Sequence, residues 1–212
     1  MSKIKILIAD DHPIVREGFK QVLSETSDMF VSDEASNGQE ALNLVHKNKY
    51  DVILLDISMP GRNGLEILKD LKSEYPSLPV LIVSIYPEEQ YAIRALRAGA
   101  SGYLTKASAP NELIVAIRKV SKGGRYISSS LAEKLTYYLD ADATKSPHET
   151  LSDREYQVMM MIASGKTVTE IAEELFLSAK TISTYRSHIL RKMKMKNNAE
   201  IIIYAAQNNL LG

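Results

Sequence analysis

The sequence predicts a doubly wound α/β sandwich, a five-stranded parallel sheet between helices, followed by a small all-α domain of four helices. Three observations predict it. The runs Ile4–Ala9, Val52–Leu55, Pro79–Val83 and Gly102–Thr105 are short and nearly continuously apolar, as strands buried on both faces require. They alternate with stretches whose apolar residues recur at helical spacing, so that five βα repeats can be counted. From Leu151 onward the strand signal is gone and only short helical patterns remain.

Taken in order, the first strand is Ile4–Ala9, and a weaker, more polar one fits Met29–Ala35. The helix after the third strand presents Leu65, Ile67, Leu68 and Leu71, and the last helix of the sandwich presents Leu113, Ile114, Ile117 and Val120. Gly123–Gly124 ends that helix. A connecting helix is expected over Ser129–Leu139, and the polar Asp140–Thr150, with one proline, reads as linker. The expected domains are therefore 1–122, a linker with a helix over 123–148, and 149–212. In the last of these, Ser152-x-x-Glu155 and Thr167-x-x-Glu170 are capping boxes that start two helices, and Gly165 suits the end of the first. Phe176-Leu177-Ser178 makes a short turn before a helix from Ala179, and Asn197-Asn198 precedes a final helix to about Gln207. Met159-Met160-Met161 reads as core filler.

Composition narrows the function classes. The 212 residues are 45% hydrophobic and 25% charged, as in ordinary globular proteins. Twenty-six basic residues balance 26 acidic ones, which excludes a polycation but not a local patch. Zero cysteines exclude disulfides, thiolate metal sites and a cysteine nucleophile. No run approaches the ~18 apolar residues of a membrane span. A soluble, cytoplasmic protein without membrane contact is expected.

Ligands of open α/β sheets bind beyond the carboxyl ends of the strands. Here those ends carry Asp10-Asp11, Asp56, Ser84 and Thr105-Lys106. Carboxylates gathered at one edge repel one another unless a cation intervenes, and hard oxygen donors suit Mg²⁺. With such a cation, a carboxylate can attack phosphorus and form an acyl phosphate, with Lys106 as a point charge for the phosphoryl oxygens. The histidines His12, His46, His148 and His188 have neither the spacing nor the neighbours of a zinc site, and His12, although beside the acids, reads as a loop residue.

IADDHPIVREG, DVILLDISMPGRNGLE, VLIVS and AGASGYLTK resemble the receiver domain of bacterial two-component response regulators, over about residues 3–122. The resemblance implies a flavodoxin-like receiver in which Asp56 takes a phosphoryl group from a sensor histidine kinase. It implies that Asp11, Asp56 and the backbone carbonyl of Ser58 hold Mg²⁺ with Asp10 beside them. Ser84 and Lys106 would bind the phosphoryl oxygens, and Tyr103 would be the aromatic that rotates inward. Receivers often place proline after the lysine, where this chain has Ala107. The side chains two positions beyond Asp56 and Ser84 are Ser58 and Tyr86; a bulky Tyr86 is expected to shield the acyl phosphate from water.

In the second domain, Ile182, Tyr185, Ile189, Leu190 and Met193 form a buried stripe, and Lys180, Ser183, Thr184, Ser187 and Arg191 form the opposite one. Lys180, Arg186, Arg191, Lys192, Lys194 and Lys196 place six basic residues between Leu175 and Glu200, with no acid among them. Cations that neutralise phosphates, with small polar side chains between them, suit a helix entering the major groove, and the preceding helix and turn complete a helix-turn-helix. LSDREYQVMMMIASGKTVTEIAEELFLSAKTISTYRSHILRKMKMKNNAEIIIYA resembles the four-helix DNA-binding domain of LuxR-type regulators, over roughly 149–210. With the receiver, this is the NarL/FixJ arrangement. It implies contacts to double-stranded DNA through Lys180, Thr181, Ser183, Thr184, Arg186, Ser187, Arg191 and Lys192. Ser183, Thr184 and Ser187 would face the bases, and Lys180, Arg186, Arg191 and Lys192 would lie nearer the phosphates. The final helix, with Ile201, Ile202, Ile203 and Ala205, would supply both core and a homodimer contact.

The expectation is a phosphorylation-activated, DNA-binding transcription regulator, not an enzyme. An Asp-nucleophile phosphohydrolase would place a second acid where Ser58 stands. The alternative is a phosphorylation-independent DNA-binding regulator whose receiver is only a dimerisation module.

Overall fold

The computed structural model describes residues 3–129, 131–133 and 146–211, in two compact units, Met1–Ala132 and Glu133–Gly212. From Ile4 to Val120 the first unit alternates strand and helix: β1 (Ile4–Ala9), α1 (Pro13–Ser24), β2 (Met29–Ala35), α2 (Gly38–Lys47), β3 (Val52–Leu55), α3 (Gly64–Glu74), β4 (Val80–Ser84), α4 (Glu88–Arg97), β5 (Gly102–Thr105) and α5 (Pro110–Val120). The five strands lie in the order β2-β1-β3-β4-β5, all parallel.

The apolar runs become strands because both of their faces are covered. Ile6, Ile8, Val52, Leu54, Leu81 and Val83 share one core cluster with Leu23 of α1 and Leu113, Ile117 and Val120 of α5. The alternate residues Leu7, Ile53, Leu55 and Ile82 are also fully buried. Removing one such side chain, as in Leu54→Ala, costs about 2–5 kcal/mol. The edge strand β2 is more polar because only part of it is covered, with Phe30 42% exposed. Strand β4 runs one residue later than the expected Pro79–Val83, since Ser84 pairs with Thr105 of β5.

Helix α3 starts against the sheet's edge. Asn63 caps it, accepting from the Leu65 N–H at 2.8 Å, and Glu66 closes the capping box. Gly64 is required there by close approach, because a Cβ would stand 2.0 Å from the Asp56 carbonyl oxygen.

In the second unit a 3-10 turn (Pro147–Thr150) precedes α6 (Asp153–Ala163), α7 (Val168–Glu174), α8 (Ala179–Lys192) and α9 (Asn198–Gln207). Both expected capping boxes form, at Ser152/Glu155 and Thr167/Glu170, and Ser178 and Asn197 cap α8 and α9. Gly165 takes the left-handed conformation that ends α6, at φ 87°. Met159, Ile171, Ile182, Ile189, Ile201 and Ala205 form buried positions of this unit, where α8 packs on α6 and α7 and α6 packs on α9. Residues 130 and 134–145, in the helix expected over Ser129–Leu139 and the following linker, lie outside the described residues. Among the described residues no helix is long and apolar enough to cross a membrane.

Candidate acidic centre and nucleic-acid interface

Sheet hydrogen bonds that continue past the strand ends position the acids. The Asp10 N–H donates to the Ala35 carbonyl at 3.0 Å, the Asp56 N–H to Ala9 at 2.9 Å, and the Lys106 N–H to Ser84 at 2.7 Å. The Asp10 and Asp56 side chains are therefore buried, at 2% and 1% exposure. Lys106 reaches both, its Nζ lying 2.6 Å from Asp10 Oδ2 and 2.8 Å from Asp56 Oδ2. The Lys106–Ala107 peptide is trans, so the lysine is aimed without a proline. Arg16, which the sequence did not single out, braces the corner by donating to the Asp10 carbonyl at 2.7 Å.

Lys106 pairs with Asp10 and Asp56, and the Asp11 carboxylate beside them adds a third negative group to the corner. Burial, joined by the neighbouring Asp10 charge and opposed by Lys106, holds the Asp56 carboxyl above its ordinary range. Burial disfavours the charged Lys106, but the Asp56 and Asp10 carboxylates outweigh it and raise the ammonium's pKa. Two oxygens, Asp56 Oδ1 and Asp11 Oδ1, are shielded from water and have no hydrogen-bond partner. His12 leans over them. Its N–H donates to Asp10 Oδ1 at 2.9 Å, and its Nδ1 lies 3.3 Å from the same oxygen. That Nδ1 is also 2.8 Å from Asp11 Oδ1, close but not aligned as a hydrogen bond. One ligand atom from each of Asp10, Asp11, His12 and Asp56 lies within 4.8 Å of the others. Open, dehydrated oxygens on clustered carboxylates are what a hard dication requires, so these residues fit Mg²⁺.

Around this corner, Ser84 is fully buried and its Oγ accepts from the Tyr86 N–H at 3.3 Å. Ser58 Oγ donates to the Tyr86 hydroxyl at 3.1 Å, so the two flanking positions touch each other. Tyr103 is already inward. It is fully buried and its hydroxyl donates to the Tyr86 carbonyl at 2.8 Å. Burial raises the Tyr103 phenol far above its ordinary pKa, so it stays a donor.

In the second unit the outer face of α8 carries Lys180, Ser183, Thr184, Ser187 and Arg191, all exposed. Thr184 and Ser187 donate their hydroxyl protons back to the Lys180 and Ser183 carbonyls, at 3.0 and 2.9 Å, leaving oxygen lone pairs and a methyl outward. Thr181 is bound into the helix start, its Oγ1 2.8 Å from Ser178 Oγ. Two of the expected phosphate-side cations also have partners within the unit. Arg186 donates from Nε to Asn198 Oδ1 at 2.6 Å, and Lys192 pairs with Glu155 at 2.6 Å. Their helical phase turns them toward α9 and α6, a placement that a count of charges does not reveal. On α9, Ile201 and Ala205 are buried, while Ile202 and Ile203 are 39% and 55% exposed.

Comparisons with known proteins find a separate match within each unit. Residues 6–118 match the response regulator receiver domain, and residues 149–205 match the bacterial regulatory proteins of the luxR family. The chain belongs to the NarL/FixJ response regulators. It is similar to the oxygen regulatory protein NreC of Staphylococcus carnosus (strain TM300), 38% identical over 98% of this chain and 99% of that one. It is similar also to the response regulator UvrY of Escherichia coli (strain K12), 36% identical over 98% of this chain and 95% of that one. Among solved structures, RcsB from Salmonella enterica serovar Typhimurium, bound to promoter rprA in the presence of phosphomimetic BeF3-, superposes with a TM-score of 0.67. It is 27% identical, over 97% of this chain and 99% of that one. This response regulator is thus a receiver joined to a LuxR-type DNA-binding domain, a transcription regulator by construction.

Proposed function

We propose that Asp56 is the phospho-acceptor through which a sensor histidine kinase controls DNA binding by this regulator. The observation that carries this reading is the Asp10–Lys106–Asp56 grouping, with one Asp56 oxygen held by Lys106 and the other without a partner. Attack by an Asp56 carboxylate oxygen forms a new O–P bond as the P–N bond of the kinase phosphohistidine breaks. The leaving imidazole keeps the electron pair and takes a proton from solvent. Lys106 holds the carboxylate ionised beforehand and then meets the phosphoryl oxygens. Asp11, Asp56 and the Ser58 carbonyl would hold Mg²⁺, with Asp10 beside them; bound there, the ion supplies positive charge that offsets the carboxylates and the incoming phosphoryl group.

The phosphoryl group adds about −1.5 to −2 charge beside Ser84 and Lys106. Ser84 moves toward it, and Tyr86 follows because its N–H is bonded to Ser84 Oγ. Tyr103 reads that movement through the Tyr86 carbonyl, so the proposed switch is the tightening of an inward aromatic rather than its arrival. Residues 1–122 act as receiver, 123–148 as linker and 149–212 as the DNA-binding part, in a cytoplasmic protein. In the last, Ser183, Thr184 and Ser187 face base edges, and Lys180 and Arg191 face phosphates. Ile202 and Ile203 pair two copies, on phosphorylation or on DNA, to match a two-fold operator. Incubation with acetyl phosphate and Mg²⁺ followed by intact mass measurement tests the first step. One phosphoryl group is gained and is absent from Asp56→Asn; a gain that persists in that variant overturns the assignment.

A further inference from the structure

The ring of His12 takes no part in capping its helix; its contacts are with the acids. The residue stands at the N-cap of α1 with φ −89° and ψ 108°, yet its side chain caps no backbone N–H. Asp, Asn or Ser would cap there and so be worth roughly 1 kcal/mol more. The ring turns the other way, over the acids, with Nδ1 at 2.8 Å from Asp11 Oδ1 and 3.3 Å from Asp10 Oδ1. Its backbone N–H, bonded to Asp10 Oδ1 at 2.9 Å, fixes the main chain from which the ring projects. The side chain is 57% exposed, so the imidazole forms the rim between solvent and the buried carboxylates.

A second observation points into the same spot from below. Asp56 is 1% exposed, and its Oδ1 has no hydrogen-bond partner there. The four ligand atoms of Asp10, Asp11, His12 and Asp56 are within 4.8 Å of one another. Two ligands on opposite sides of a first-row dication, each bound at ~2.1 Å, stand about 4.2 Å apart. The ligand atoms are thus near enough to converge on one ion by side-chain adjustment, which rotation of an exposed imidazole allows.

We infer that His12 is a nitrogen ligand, and that the acidic centre binds a borderline first-row dication of the Mn²⁺ to Zn²⁺ class through Asp11, Asp56 and His12 Nδ1 more tightly than it binds Mg²⁺. The inference rests on reading this corner as a cation site serving the phospho-acceptor. Its chemistry is ligand softness. Mg²⁺ gains little from imidazole and keeps oxygen and water around it, whereas imidazole strengthens binding along the series toward zinc. The carboxylates accept either ion; the histidine separates them.

Untagged full-length protein, stripped with chelator and loaded with Mn²⁺, is the material for the test. Pulsed electron paramagnetic resonance reads a directly bound ¹⁴N in the native chain, and that coupling is absent from both His12→Ala and His12→Phe. Calorimetry shows Zn²⁺ affinity falling by about tenfold or more in His12→Ala, while Mg²⁺ affinity changes by less than about twofold. Retained Mg²⁺ binding also shows that the variants are folded at this corner. Mn²⁺ bound with no nitrogen coupling in the native chain overturns the inference alone, as does a coupling that survives both substitutions. Failure of Mg²⁺, Mn²⁺ and Zn²⁺ alike to bind the native chain overturns the cation site itself, and the inference with it.

Discussion

Replacing Lys106 with methionine keeps the length of the stem and removes the ammonium from two buried carboxylates. The structure sets the size of the effect, because Nζ lies 2.6 and 2.8 Å from oxygens of residues that are 2% and 1% exposed. Leaving a buried charge without its partner costs about 3–5 kcal/mol. Part of that is recovered by proton uptake, since each unit by which a carboxyl pKa comes to exceed the ambient pH returns about 1.4 kcal/mol. A net loss of about 2–4 kcal/mol near neutral pH follows, or roughly 10 °C in the melting of the first unit. The sign with pH is fixed by the direction of the Asp56 shift. A carboxyl whose folded pKa is raised contributes stability below its unfolded pKa and loses it as pH rises through the folded one. Without Lys106 that pKa climbs further, so the deficit of Lys106→Met shrinks on acidification from about pH 7 to about pH 5. Urea denaturation at the two pH values measures it, and adding Asp10→Asn restores part of the loss. A deficit under about 0.5 kcal/mol, or one that widens in acid, refutes the electrostatic reasoning.

Four further outcomes follow from named contacts. Tyr86→Ala removes the ring that accepts from Ser58 Oγ, and is expected to shorten the lifetime of the acyl phosphate several-fold; loss of the phosphoryl mass with time is the readout, and an unchanged lifetime rejects the shielding role. Lys180→Ala and Arg191→Ala are expected to weaken binding to all DNA sequences and to reduce the salt slope by about 1 each, whereas Thr184→Val changes which sequences are selected. Arg186→Ala is expected to lower the stability of the second unit by about 1 kcal/mol by orphaning Asn198 Oδ1, with the salt slope unchanged; a reduced slope at constant stability would return Arg186 to the phosphates. Phe176 is 71% exposed and holds φ 54°, so Phe176→Gly is expected to raise stability by about 0.5–1 kcal/mol in thermal or chemical denaturation.

Much of this architecture is legible in the chain because burial on both faces leaves a plain mark. Continuous runs such as Val52–Leu55 have no reason to be apolar unless helices cover both sides, and they end where the acids begin. The capping boxes at Ser152 and Thr167 are local chemistry, so four adjacent residues suffice to place two helix starts. Side-chain direction is a different matter. A periodic stripe places Arg186 and Lys192 beside the outer face of α8, but the partners they meet, Asn198 and Glu155, come from outside that helix. His12 is legible as a neighbour of acids and no more, because the approach of its Nδ1 to Asp10 and Asp11 depends on a side-chain rotamer that adjacency does not specify. Tyr103 likewise shows only a type and a strand end in sequence; the Tyr86 carbonyl that holds it inward belongs to another loop.

DNA affinity measured on one preparation before and after acetyl phosphate treatment, beside Asp56→Asn, tests the link between the two units most directly. The account predicts tighter binding to a selected two-fold site after treatment, in step with the phosphorylated fraction, and no change for Asp56→Asn. Full phosphorylation of Asp56 that leaves affinity and assembly on DNA unaltered would contradict it.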